Sequence, residues 1–440
     1  MDNQNKKILY GLITLSIPTI LEEVMSTLLQ YVDTAMVGHL GQQATAAVST
    51  TTTVSWLVHS IPYSVAIAVM ALVARAYGAR DHALVRRIVS QCFSLTLIVG
   101  AVLTVVCMVL SPFIPVWMHA EEAVQSPASR YFFIISIPLI FRTADATFGA
   151  VIRATKDTKT PMLVNLAANV INILLNALLI YGFKWGVMGA AVASAVSFFF
   201  SGVMMMILAW KKGWFVPDRK LFQWDKPILC ETARISLPAF GTSVTSCMGY
   251  VVFAGMVSGM GTMVFAAHSI AVMAEQLFYI PGYGLRVATS SLVGNAIGEG
   301  DRKKQYVTES ISIFLTVGMM VISGLLLFLA ANPLMTFFTI DRDVADLGAQ
   351  MLRLIALTEP FFGLMIVIEG IFYGRGKSKG IFVIESVSMW GIRIVFTYLV
   401  THVWGLGLRE VWYCMIADNV FKAVSLLAVY LISRRRSAME

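Results

Sequence analysis

Apolar runs of about 20 residues, the length an α-helix needs to cross roughly 30 Å of hydrocarbon, recur along this chain. They can be placed at 13–37, 52–74, 89–112, 131–152, 162–182, 188–210, 235–258, 269–294, 310–331, 350–373, 381–401 and 410–432, twelve in all. Of the 440 residues, 58% are apolar and 13% charged, whereas a soluble domain has about 45–50% and 25%. The expected fold class is therefore an all-α polytopic membrane protein with twelve transmembrane helices.

The polar breaks test that count. Lysine and arginine accumulate in cytoplasmic loops. With the amino terminus inside, the inner segments hold 24 basic residues, from Lys6 and Lys7 through Arg302, Lys303 and Lys304 to Arg434, Arg435 and Arg436. The outer segments hold only Arg130, Lys184, Arg342 and Arg409. Both termini are expected to be cytoplasmic, with the plasma (inner) membrane as the location. The run after Lys7 continues through Asp33 without a short apolar core and cleavage site, so it reads as the first span rather than a signal peptide.

The longest polar break, from Lys211 to Lys226, divides the chain nearly in half. The halves repeat. Leu72-Val73-Ala74-Arg75-Ala76-Tyr77-Gly78-Ala79-Arg80-Asp81 matches Leu292-Val293-Gly294-Asn295-Ala296-Ile297-Gly298-Glu299-Gly300-Asp301 at an offset of 220, and Ile61-Pro62 matches Ile280-Pro281 with a one-residue slip. Six spans per half is even, so the repeats should run parallel, related by an axis along the membrane normal. The expected division is an amino-terminal six-helix lobe at 1–212, a cytoplasmic linker at 213–234 and a carboxy-terminal six-helix lobe at 235–440.

Several function classes drop out. The net charge of +8 lies in short clusters between apolar runs without interleaved aromatics, so it marks topology and not nucleic-acid binding. The five cysteines have neither CxxC nor Cys/His spacing, and imply no disulfide framework or zinc site. Ile371-Phe372-Tyr373-Gly374-Arg375-Gly376-Lys377-Ser378 imitates a phosphate loop, but Ile371 stands where glycine is required and the segment closes a membrane helix. No nucleotide site or cofactor is expected, so pumping must draw on an ion gradient. A membrane-embedded transferase would need a DDxxD-type metal motif, which the sequence lacks.

Asp33 is the residue to explain. At bilayer depth an aspartate costs roughly 2.5–3.5 kcal/mol, so it should face protein or water and take a proton, a cation or a donor. If the run ended earlier it would be a solvated interfacial residue, but Met36 and Val37 continue the apolar pattern beyond it.

With these features assembled, the chain resembles the multidrug and toxic compound extrusion (MATE) family of the MOP flippase superfamily. The resemblance is carried by Tyr31-Val32-Asp33-Thr34-Ala35-Met36-Val37-Gly38, by Asn172-Ile173-Leu174-Leu175-Asn176-Ala177-Leu178-Leu179-Ile180-Tyr181-Gly182, and by Leu292-Val293-Gly294-Asn295-Ala296-Ile297-Gly298. It implies a V-shaped twelve-helix protein that is not an enzyme and exports organic, often cationic, compounds in exchange for Na+ or H+ by alternating access.

The resemblance also implies that Asp33 couples the cation and that Asn172, Asn176 and Ser194 are its polar partners. Asn172 and Asn176 are one helical turn apart and share a face. An oxygen set of this kind suits Na+, held by Asp33, Asn172 and Asn176, or a proton relay through the same carboxylate. The asparagines and Ser194 could equally be interhelical glue. Where some relatives carry a second aspartate this chain has Asn176, which leaves the choice of ion open. Ser246 and Phe362 stand where the sodium-coupled branch has acidic residues, which weakens any transfer of its carboxy-terminal ion site.

Candidates for a substrate cavity are Glu22, Glu275, Arg286, Glu359 and Glu369. Glu22 precedes Asp33 by 11 residues, about 16 Å along one helix face, or else it sits at the cytoplasmic interface. Glu275 is similar to an acidic residue of part of the family. Arg286 follows it by 11 residues, and Glu359 precedes Pro360, where a kink would free carbonyls. Arg142 with Asp145 and Asp418 with Lys422 have spacings that let each pair satisfy itself within one helix. A flippase for lipid-linked saccharides is the alternative on the same architecture; it would favour a cationic cavity, whereas Asp33, Glu22 and Glu275 are acidic. The expected partners are small organic cations, the coupling ion and the bilayer, with a monomer as the working unit.

Overall fold

The computed structural model describes residues 3–216 and 224–439. The first half contains α1 (Asn3–Gly38), α2 (Gln42–Gly78), α3 (His82–Leu110), a short α4 (Ile114–Trp117), α5 (Glu122–Ser136), α6 (Leu139–Ala154), α7 (Lys159–Asn176) and α8 (Val187–Lys211). The second half contains α9 (Lys226–Ser258), α10 (Thr262–Gly298), α11 (Arg302–Phe338), α12 (Arg342–Ala356), α13 (Glu359–Gly374), α14 (Lys379–Ser388), α15 (Val395–Tyr398) and α16 (Leu408–Met439). No strand occurs among the described residues. With no water to bond to in hydrocarbon, each segment must close its own backbone hydrogen bonds, and the helix is the local way to do so.

Among the described residues ten helices are long and apolar enough to cross a membrane, and twelve spans result if each of two bent pairs counts as one. The bent pairs are α5 with α6, at 48°, and α12 with α13, at 55°. They are the fourth and tenth expected spans. Proline explains both breaks: Pro138 separates α5 from α6, and Pro360 stands in the first turn of α13. Its ring removes a backbone donor and crowds the carbonyl of the preceding turn. Helices also outrun the apolar stretches, α1 starting at Asn3 and α10 ending at Gly298; the extra turns need no hydrophobic face.

Three π-helical turns occur among the described residues. Ala177–Gly182 continues α7, while Met389–Ile394 and Leu399–Val403 lie on either side of α15. Of the segment 213–234, residues 217–223 lie outside the described residues, and from Lys226 onward it forms the first turns of α9.

The chain forms two compact units. One comprises residues 17–240 with 294–301, the other residues 1–16, 241–293 and 302–440. Short segments thus cross over between the halves. Ile8, Leu12 and Leu15 of α1 are buried on Ala288, flanked by Leu292, Val307 and Ile311. Conversely, the end of α10 packs on α2 without side chains in between: a Cβ on Gly78 would overlap the carbonyl of Asn295, and one on Gly298 the carbonyl of Arg75. The repeated Leu-Val-x-x-x-x-Gly turn therefore meets its own second copy. Asn295 Nδ2 donates to the Ala154 carbonyl at 3.0 Å and Lys156 lies 3.5 Å from Glu299, holding the same turn.

Candidate functional site

In the first unit α1, α7 and α8 bring four polar side chains together. Asn176 Nδ2 donates to Asp33 Oδ1 at 2.6 Å and to Asn172 Oδ1 at 3.0 Å, and Asn172 Nδ2 donates to Ser194 Oγ at 3.3 Å. Asn172 and Asn176 are 3% and 1% exposed, and Asp33 is half-buried. An ionised carboxylate only accepts, so it fixes the Asn176 amide with its NH2 toward Asp33. The Asn176 Oδ1 atom is then left buried with no donor among the described residues. Asn176 closes α7 where the π turn begins; π turns displace the backbone ladder and recur at functional sites. Tyr131 of α5, which the sequence reading missed, lies within electrostatic range of Asp33 and packs beside Val37, Ile180 and Ala190. Nothing in its sequence neighbourhood sets it apart.

A set of one carboxylate, two amides and a hydroxyl can hold a small hard cation through oxygens, the orphaned Asn176 Oδ1 among them. It can equally hold a proton on Asp33.

Glu22 does not join this cluster. Arg153 Nη2 and Asn165 Nδ2 both donate to its Oε1 at 2.5 Å. It is an ion pair and no longer a free negative group on a line with Asp33. Arg153 figured in the sequence only as a topology marker. Arg142 and Asp145, expected to satisfy each other, form no ion pair among the described residues: the Arg142 guanidinium lies 4.2 Å from the Phe198 ring centroid, and Asp145 Oδ1 is buried without a donor. One turn of helix brings the two residues near, but the aromatic face draws the cation away.

In the second unit the acidic candidates separate into two environments. Glu275 and Glu359 are both buried and within range of each other's charge and of Tyr279, and Glu359 Oε2 has no hydrogen-bond partner among the described residues. The rings of Tyr279, Tyr283 and Phe362 cluster beside them, with centroids 5.0–6.2 Å apart. Glu369, by contrast, is paired: Arg286 Nη1 donates to its Oε2 at 2.9 Å, with the guanidinium 4.7 Å from the Tyr283 centroid. Asp418 and Lys422 do meet, at 3.2 Å, but as part of a larger buried network. Lys422 also reaches Glu385 at 2.9 Å; Arg393 donates to Asp418 Oδ2 at 2.8 Å and Asn419 Oδ1 at 3.2 Å; Ser388 Oγ donates to Asp418 Oδ1 at 2.5 Å.

The repeat offset sets Phe253 opposite Asp33, and the Arg393 guanidinium stands 5.7 Å from the Phe253 ring centroid. Arg393 lies in the π turn Met389–Ile394. The position equivalent to Asp33 in the second half thus holds an aromatic ring with a guanidinium near it instead of a carboxylate.

A family model described as MatE matches residues 18–178 and 238–399, most of both halves. The chain belongs to the MatE family. It is 27% identical over 424 residues to "Probable multidrug resistance protein NorM" of Thermotoga maritima, covering 96% of this chain and 91% of that one. It is 24% identical to human "Multidrug and toxin extrusion protein 1", covering 95% and 74%. Solved structures share the fold. "Outward-facing conformation of a multidrug resistance MATE family transporter of the MOP superfamily" superposes with a TM-score of 0.91 at 20% identity over 98% of this chain and 96% of that one. A MOP superfamily transporter from Pyrococcus furiosus, described by "reverse polarity of binding pocket suggests different function", does so with a TM-score of 0.89 at 21% identity over 98% and 96%. Members of this family are multi-pass membrane transporters of small organic compounds and not enzymes.

Proposed function

We propose that this protein is a secondary exporter of organic cations in which Asp33 takes up Na+ or H+ from the outer side and alternating access releases the substrate there. The two six-helix lobes supply the alternating element, the working unit is a monomer, and both termini are cytoplasmic in the plasma membrane. The observation that carries the reading is the Asp33–Asn176–Asn172–Ser194 chain, a carboxylate whose neighbours are neutral oxygen and amide groups. With no fixed cation bonded to it among the described residues, the carboxylate can exchange its counter-charge. A one-for-one exchange of a monovalent ion for a monovalent organic cation moves no net charge, so the ion's concentration gradient drives it: each tenfold of that gradient is about 1.4 kcal/mol and sustains about a tenfold substrate gradient.

Glu275 and Glu359, buried among tyrosines, are the proposed substrate contacts, since a carboxylate and aromatic faces both attract an organic cation. Arg286 and Glu369 hold one another and act as scaffold, as do Glu22 and Arg153. A lipid-linked saccharide flippase would present basic groups to a pyrophosphate, and the free groups in these two clusters are acids instead.

The test is efflux of a cationic dye from cells with Na+ and H+ gradients imposed separately. Asp33→Asn at equal expression should lose the gradient-driven component, a fall of at least tenfold. Unchanged efflux in that variant rejects Asp33 as the coupling group.

A further inference from the structure

Away from both polar clusters, a cavity of about 420 Å³ opens in the second unit between the start of α1, the first turns of α11 and the end of α16. Its chemistry changes along α11. Lys303, Val307, Ser310, Ile311 and Phe314 line it; they recur every three or four residues, so one helix face carries them all. Lys303 and Phe314 stand about 16 Å apart along that face.

The Lys303 end is cationic. Arg434 of α16 lines it too, half-buried, with Nη1 donating to Ser310 Oγ at 3.4 Å and the guanidinium 5.1 Å from the Tyr306 ring centroid. Neither Lys303 nor Arg434 is paired with a carboxylate among the described residues. Glu309, the acid nearest along α11, is engaged elsewhere: Arg375 donates to both of its oxygens at 2.8 and 2.6 Å, Gln305 donates at 2.9 Å and Tyr430 at 3.1 Å. The other end is apolar, and Phe314 is 80% exposed.

We propose that this cavity seats an anionic glycerophospholipid of the cytoplasmic leaflet, its phosphate against Lys303 and Arg434 and an acyl chain along Val307, Ile311 and Phe314. Basic clefts between helices on the cytoplasmic side suit such head groups. The Tyr306 ring and Ser310 hold the guanidinium in place beforehand, which lowers the ordering cost of binding. A free phosphate would use the cationic end alone and leave the apolar wall without a role. The inference rests on the topology proposed above, which sets these basic residues on the cytoplasmic side.

Native mass spectrometry of the full-length protein in detergent tests it, with phosphatidylglycerol, phosphatidylcholine and inorganic phosphate as probes. Phosphatidylglycerol adducts should exceed phosphatidylcholine adducts about tenfold. Lys303→Gln with Arg434→Gln should weaken phosphatidylglycerol binding roughly thirtyfold, the effect of two basic side chains at a membrane surface. Lys303→Arg with Arg434→Lys should retain it, and Phe314→Ala should weaken both lipids while keeping the preference. Equal retention of the two lipids, undiminished phosphatidylglycerol binding in the glutamine variant, or full displacement by millimolar phosphate would overturn the proposal. So would a dimer in place of the lipid adduct that vanishes in the same variant. The readout needs no transport, so its failure leaves coupling at Asp33 standing, and failure of the efflux test leaves this site standing.

Discussion

Asn176 commits both amide hydrogens, one to Asp33 and one to Asn172, and keeps an oxygen free. That single side chain converts a charged residue in an apolar helix into a site with a defined open acceptor. The buried Arg375–Glu309 pair is closed instead. Arg375 and Glu309 are 7% and 0% exposed and share two hydrogen bonds, and removing one member of such a pair costs about 3–5 kcal/mol because the other charge is stranded. Arg375→Ala should therefore lower the midpoint of thermal unfolding in detergent markedly, whereas Asp33→Asn should leave it near the parent value; differential scanning fluorimetry on both checks this. Asp33 was legible in the sequence because a carboxylate inside an apolar run is costly wherever it points. The fate of Glu22 was not legible, since its cation lies 131 residues away and spacing along one helix cannot report on a neighbouring one.

Among the elements, the turn between α6 and α7 shows how a short link is tied down. Lys212 Nζ donates to Asp157 Oδ2 at 2.7 Å, and Thr160 donates to the same carboxylate through its hydroxyl at 2.7 Å and its backbone N–H at 3.0 Å. Partial burial pushes the Asp157 carboxyl up, but the Lys212 ammonium and the Thr160 donors outweigh it and hold it below the usual range. A carboxylate depressed in the folded state adds stability above its unfolded value, near pH 4, and that stability disappears as pH falls through the lower folded value. Asp157→Asn should thus lower the unfolding midpoint at pH 7, and the gap to the parent should close on acidification below the carboxylate range. The proline breaks in α5–α6 and α12–α13 were foreseeable in kind, because proline announces its missing donor. The π turns at 177–182 and 389–394 were not, because an extra residue in a helical turn has no compositional signature.

Across the whole molecule, the two halves were legible as a repeat, but the sequence could not show that the repeated turn packs on itself. Gly78 and Gly298 sit against the carbonyls of Asn295 and Arg75, backbone atoms that cannot rotate away. Overpacking a tight contact costs about 1–3 kcal/mol, so Gly78→Ala and Gly298→Ala should each destabilise by that order. Once one methyl has parted the two turns, the second meets less resistance. The double variant should consequently fall short of the sum, as a double-mutant cycle on thermal unfolding would read. The halves also diverge where the repeat offset would make them match: Phe253 stands for Asp33, with the Arg393 guanidinium near it.

The glycine contact also limits how the gene can be recombined. Each copy of the turn is the mould in which the other is cast, so a chimera that borrows one half from another family member imports a plug cut for a different socket. Grafts that carry residues 72–81 and 292–301 together should assemble, and exchanges that split them should fail before any question of substrate arises.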